Sequence, residues 1–149
     1  MNAMGNTTHK NKQNIKGTCI LLHTMANFDE VMSVARRLRK ECPWDAQQTF
    51  NSFHKYILEE ATEFENAVQA KDMQDIKEEL GDVLWNCCVL TTIAESEGLF
   101  TMDELLQEIK TKMIRRHPHV YGNSPNTMES IHHKWQEIKA QEKAEKEKK

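Results

Sequence analysis

Residues 57–84 decide how this chain is read: Ile57-Leu-Glu-Glu-Ala-Thr-Glu-Phe-Glu-Asn-Ala-Val-Gln-Ala-Lys-Asp-Met-Gln-Asp-Ile-Lys-Glu-Glu-Leu-Gly-Asp-Val-Leu84. Apolar residues recur at helical spacing on both sides of a polar break at Lys71-Asp72, which predicts two helices joined by a tight turn. The first should cover about residues 50–70, with Phe53, Ile57, Ala61, Phe64 and Val68 as its apolar stripe. The second, capped by Asp72, should run to about Glu97, with Met73, Ile76, Leu80, Val83, Leu84, Cys87 and Ile93 inward and Gly98 ending it.

The same stretch carries the acidic residues Glu59, Glu60, Glu63, Glu79 and Asp82. At about 100° per residue, Glu60 and Glu63 lie about 60° apart on one helix face, and Glu79 and Asp82 repeat that relation on the next helix. An antiparallel turn between them lets two helices present these carboxylates to one point. Like charges gathered so closely repel, and a hard divalent cation relieves the repulsion. Magnesium takes oxygen ligands and bridges to phosphates, and carboxylates facing each other in a helical bundle are a recurring way to hold a metal. The plainer reading is a solvated acidic face, which spacing alone does not remove. Gly81, inside a helix where glycine costs about 1 kcal/mol relative to alanine, suggests the close approach of another backbone or a ligand.

Outward from this core, Asn27 and Glu30 form a capping-box start for a helix over about 27–41, with Phe28, Val31, Met32, Ala35 and Leu38 on one side. Cys42-Pro43-Trp44-Asp45 breaks it, since proline restrains its predecessor and cannot continue the ladder. Thr101 caps a fourth helix with Leu105, Ile109 and Met113 inward, and His117-Pro118 stops it. A turn-rich link over 122–127 leads to a last helix over about 127–145, whose end from Gln141 reads as a solvated, fraying charge run. The expectation is an all-α helical bundle of about five helices completed by dimerisation. Residues 1–26 read as a flexible extension, 27–143 as the domain and 144–149 as a charged tail, with Met1, Met4 and Met25 as alternative native starts.

Bulk properties narrow the partners. The chain has 149 residues, 29% charged and 38% hydrophobic, with a net charge of −3, which argues against a general nucleic-acid binder. Cys19, Cys42, Cys87 and Cys88 form no CxxC pair, so disulfide and zinc readings are weak and a reduced cytoplasmic setting is expected. The run Cys19-Ile-Leu-Leu22 is too short to span a membrane, and no signal-peptide pattern precedes the domain.

Glu59-Glu60-x-x-Glu63 followed by Glu79-x-x-Asp82 resembles the EExxE…ExxD signature of MazG-type nucleoside triphosphate pyrophosphohydrolases. Cys42-Pro-Trp-Asp45 with Gln48-Thr49, the segment from Lys112 to Gly122 containing Arg116-His-Pro-His-Val120, and Trp135-Gln-Glu-Ile-Lys139 resemble further segments of that family in the same order. Tyr121 stands where the family usually has phenylalanine. The resemblance covers about residues 27–143 and leaves room for one such domain, where some members carry two.

The resemblance implies an all-α fold, a homodimer or dimer-based tetramer, and hydrolysis of NTP or dNTP to monophosphate and pyrophosphate. It implies Mg²⁺, or Mn²⁺, held by Glu60, Glu63, Glu79 and Asp82, with Glu59 in the same cluster. Lys112, Arg116 and Lys139 would contact the triphosphate, and Trp135 would help hold the nucleoside, with Trp44 counted among the substrate-binding residues. Either Glu59 or Glu60 would serve as general base toward the attacking water. Each has a structural alternative: basic residues as dipole partners at a helix end, tryptophans as core anchors or a plug for the bundle end. His117 and His119 read as structural hydrogen-bonding residues, His132 and His133 as surface, since magnesium avoids imidazole.

The function expected is therefore triphosphate pyrophosphohydrolysis, serving to cleanse damaged or surplus nucleotides. Two alternatives stand beside it. One is a narrower pyrophosphatase acting on a pyrimidine dNTP or phosphoribosyl-ATP. The other is a non-catalytic helical module that binds nucleotide or a regulatory partner.

Overall fold

The structure, a computed structural model, describes residues 27–148; the expected N-terminal extension, its alternative starts and Cys19 lie outside the described residues. The fold class is the one expected, all-α with no strand among the described residues. In chain order the helices are α1 (Phe28–Glu41), α2 (Pro43–Ala46), α3 (Phe50–Ala70), α4 (Met73–Ser96), α5 (Met102–Arg116), α6 (Pro118–Tyr121) and α7 (Met128–Lys146). Five are long, and the two short ones fall where breaks were expected. Proline opens α2 and α6, because its missing N–H is not needed in a first turn.

Local chemistry sets the ends. Asn27 and Glu30 form a full capping box on α1, as do Thr101 and Glu104 on α5, so orphan N–H groups are satisfied reciprocally. Asp72 accepts from the backbone of Gln74 and Asp75 to start α4. Lys71, at φ 59°, makes the left-handed turn out of α3. Gly98, at φ 67°, follows the end of α4, where glycine takes the left-handed region without penalty.

The helices α3 and α4 form the main antiparallel hairpin, and α1 packs across α4. One apolar group joins Met32 and Ala35 of α1 to Cys88 of α4 and Met102 of α5; a second joins Phe53 of α3 to Val89 and Ile93 of α4. Arg36 donates to both oxygens of Glu95 at 2.8 Å, while Glu95 also accepts the Met102 N–H at 3.1 Å. That carboxylate ties α1, the end of α4 and the start of α5. At the far side α7 lies along α5, which meets α4 only lightly.

The inward faces differ in part from the apolar stripes. Val68, Met73, Leu80 and Leu84 are exposed, and so is Ala61, whereas Ala67, Cys88 and Val89 are buried. Leu105 and Ile109 of α5 also face outward. Helical period identifies an apolar stripe but not what covers it, and the described residues leave much of this stripe uncovered. Gly81 meets nothing within 4 Å of where a Cβ would stand, so no close approach of backbone explains it. The last helix runs on to Lys146 and buries Glu142, so the segment from Gln141 is not simply a solvated run.

Candidate metal centre

The α3–α4 hairpin places Glu60 opposite Glu79 and Asp82. One carboxylate oxygen from each of the three lies within 4.8 Å of the others, a grouping able to hold a cation. On α4, Glu79 and Asp82 are about 60° apart, and the stripe continues through Asn86 to Val89 and Ile93. On α3, Glu60 shares its stripe with Phe53 and Ala67. The acidic group therefore sits on the seam between the two helices, in line with the apolar core rather than opposite it.

Its electrostatics are those of crowded, partly buried carboxylates. Partial burial holds the Glu60 carboxyl above the ordinary glutamate range, with Asp82, Glu63 and Glu59 adding to the shift and a hydrogen bond with Glu79 offsetting some of it. Partial burial likewise raises Glu79, helped by Glu63, Glu60 and Asp82. No cation of the protein enters either balance. Glu79 Oε2 is buried without a hydrogen-bond partner. A buried carboxylate oxygen with no donor, facing two further carboxylates, fits a bound hard cation: its charge would reverse the repulsion and fill the empty lone pairs.

Glu63 contributes to the field at Glu60 and Glu79 and lines a cleft of about 300 Å³ beside them with Asn66, Asp75 and Glu79. Its oxygens are not within the group of three. Glu59 is exposed and about 100° around α3 from Glu60, adjacent to the group but outside it.

Trp44, 53% exposed, lies at the α2 end of the hairpin. It stands edge-on to Phe53 at 6.2 Å and tilted to Tyr56 at 6.1 Å. This aromatic group lies beyond the carboxylates along α3, toward its N-terminal end.

The basic side chains form a separate group. Lys112, Arg115 and Arg116 line a cleft of about 1020 Å³ between α5 and α7, which contains none of the metal-site carboxylates. Glu142 receives Arg115 at 2.6 Å and Arg116 at 2.5 and 3.1 Å. Arg116 also stacks over Trp135 at 5.2 Å, and Trp135 meets His117 edge-on at 5.4 Å. Hydrogen bonds from Arg116 and Arg115 hold the Glu142 carboxyl below its ordinary range against the effect of burial. Lys139 is exposed on α7. The His117 Nδ1 lies 2.6 Å from the Met113 carbonyl, in keeping with a structural role.

Two residues of this landscape were not singled out from sequence. Glu142 lay in a charge run, and its partners are 26 and 27 residues away. Asn86, 5% exposed, carries a buried Nδ2 with no partner. Its position four residues after Asp82, on the same face, was the available signal.

Comparison with known proteins bears on the domain and its fold. Residues 48–121 match the MazG nucleotide pyrophosphohydrolase domain. The chain is 40% identical over 121 residues to a Thermotoga maritima protein named nucleoside triphosphate pyrophosphohydrolase/pyrophosphatase MazG, covering 80% of this chain and 46% of that one. It is 36% identical over 127 residues to the Escherichia coli K12 nucleoside triphosphate pyrophosphohydrolase, covering 82% and 48%. The chain thus spans about half the length of these curated relatives. The crystal structure of a mazG-related protein from Thermotoga maritima superposes with a TM-score of 0.68 at 20% identity, over 75% of this chain and 98% of that one, which speaks to the fold. Residues 48–121 of this chain are thus a MazG nucleotide pyrophosphohydrolase domain, and by that domain and its curated relatives the chain belongs with the MazG family.

Proposed function

We propose that this protein hydrolyses nucleoside triphosphates, NTP or dNTP, to the monophosphate and pyrophosphate with Mg²⁺ or Mn²⁺ as cofactor. The observation that carries the reading is the convergence of Glu60, Glu79 and Asp82 within 4.8 Å, with a buried Glu79 oxygen lacking any donor. Glu60, Glu79 and Asp82 would hold the cation, with Glu63 at its edge. When bound, Mg²⁺ would neutralise phosphate oxygens and orient water for in-line attack.

The protein's own residues supply the rest. Glu59 and Glu60 are the glutamates α3 offers as general base, and Glu60 has its oxygen in the group. Trp44, with Phe53 and Tyr56 behind it, gives an aromatic face for the nucleoside. Lys112, Arg116 and Lys139 would meet the triphosphate, and Trp135, over which Arg116 stacks, would help hold the nucleoside. They lie on α5 and α7, away from the α3–α4 seam. We therefore read the protein as a homodimer, or a dimer-based tetramer, with the exposed Leu80, Leu84, Leu105 and Ile109 covered by a second copy. A reduced cytoplasmic setting suits the free thiols of Cys42, Cys87 and Cys88. Among the described residues no helix is long and apolar enough to cross a membrane.

The test is direct: purified protein with each NTP and dNTP, with and without Mg²⁺, following pyrophosphate and monophosphate. Turnover that needs the cation and releases pyrophosphate supports the reading. Orthophosphate release, or no turnover by folded protein, overturns it.

A further inference from the structure

Asn86 is an anomaly in the core of α4. The neighbouring buried hydroxyls are satisfied within the helix: Thr91 donates to the Cys87 carbonyl at 2.9 Å and Thr92 to Val89 at 2.8 Å. Asn86 has no such outlet. It is 5% exposed and its Nδ2 is buried with no acceptor. Only Glu79 Oε2 shares that condition among the described side chains, and it stands seven residues earlier on the same face. Buried polar atoms are paired as a rule, so two orphans on one stripe point to something that both meet.

The register of the hairpin says what lies between them. At one level Glu60 of α3 faces Glu79 and Asp82; at another Phe53 of α3 packs against Val89 and Ile93. Asn86 falls between these levels, about 6 Å along the axis beyond Asp82. It therefore stands after the carboxylates, level with Tyr56 and before Phe53 of the aromatic group that includes Trp44. A nucleotide with its phosphates at the carboxylates and its base toward Trp44 passes its sugar across this position. A carboxamide carries both donor and acceptor, as a hydroxyl does, so the two pair whichever way the proton points.

We infer that Asn86 is a specificity residue of the site, its amide N–H donating to a sugar hydroxyl of the bound nucleotide. The inference rests on the pyrophosphohydrolase reading above and deepens it. A site built around such a bond disfavours the analogue that lacks the hydroxyl, because the amide is left unpaired again.

The experiment compares ATP, 2′-deoxy-ATP and 3′-deoxy-ATP on the full-length wild type, Asn86→Leu and Asn86→Ser, with Mg²⁺ present. The wild type should disfavour one of the deoxy analogues by about tenfold or more in kcat/KM, and which one identifies the hydroxyl. In the Asn86 variants kcat/KM for ATP should fall to the level of that analogue, whose own value stays near wild type. The ratio between two sugars on one preparation does not depend on how much of it is folded, and the smaller serine serves if leucine prevents folding. An equal loss on all three nucleotides, or an unchanged sugar ratio, overturns the inference while leaving the hydrolase reading in place. An unchanged ratio with a lower assembly mass would place the amide at a subunit interface and also overturn it. Wild-type protein that turns over no triphosphate brings down both.

Discussion

Glu60 on α3 and Glu79 on α4 bring carboxylate oxygens within 4.8 Å of each other across the seam of the hairpin, and both are held above the ordinary glutamate range. Partial burial is the first cause for each, followed by the neighbouring carboxylates. Ionising either group costs more in the folded protein than in the unfolded chain, so in the metal-free protein both oppose folding at neutral pH.

The sign follows from linkage. A carboxylate whose folded-state pKa lies above its unfolded value gives stability that is present below the unfolded value, about 4.3, and lost as pH rises through the folded one. Metal-free wild type should lose stability over that rise, and Glu79→Gln should lose less and melt higher at pH 7. Added Mg²⁺ should raise the wild-type Tm, because it binds the folded state, and should raise that of Glu79→Gln much less. Thermal melts across pH with and without Mg²⁺ check this. A lower Tm for metal-free Glu79→Gln would contradict it.

Glu95 behaves in the opposite sense. Its hydrogen bonds from Arg36 hold its carboxyl below the ordinary range against burial, and the Met102 N–H adds to the effect. Its contribution is full above the unfolded carboxylate pKa and lost as pH falls through the lower folded one. Glu95→Ala should destabilise by about 1–2 kcal/mol, a moderate value since Arg36 is half exposed. Urea unfolding at pH 7 measures it, and the difference from wild type should shrink as pH falls below 4.

Glu142 fastens α7 to α5 through Arg115 and Arg116. Glu142→Ala should cost about 2–3 kcal/mol by leaving the half-buried Arg116 without its partner. Amides from Ile138 to Lys146 should then exchange faster, which hydrogen exchange reads directly. Unchanged protection in that segment would show that the ion pairs do not hold the helix.

Trp44 and Phe53 touch, yet the two should behave differently. Phe53 is buried, and Phe53→Ala should cost about 3–5 kcal/mol. Trp44 is half exposed, so Trp44→Ala should cost about 1 kcal/mol while raising KM for triphosphates about tenfold. Chemical unfolding together with steady-state kinetics separates the two. A KM unaffected by Trp44→Ala would confine Trp44 to packing.

The sequence was informative where the determinants are local. The capping boxes at Asn27 and Thr101 mark their helices, and the i, i+3 spacing of Glu79 and Asp82 fixes a shared face whatever else surrounds them. The turn at Lys71-Asp72 then brings Glu60 across from them. Long-range relations left no such trace. Leu80 and Leu84 have the period of a core stripe yet are 56% and 49% exposed, because apolar spacing is the same whether the cover comes from this chain or from another. Glu142 owes its burial to arginines on a different helix, which no window of sequence contains. Asn86 is polar within an apolar stretch, and only the hairpin register shows that it shares a seam with the carboxylates.

The most direct measurement is product release from an NTP by wild type, Glu79→Gln and Asp82→Asn, titrated with Mg²⁺. Wild type should release one pyrophosphate per monophosphate only when Mg²⁺ is present, and each variant should lose at least 100-fold in rate while remaining folded. Pyrophosphate release that persists in either variant at wild-type rate, or that proceeds without a divalent cation, would contradict the assignment of these carboxylates.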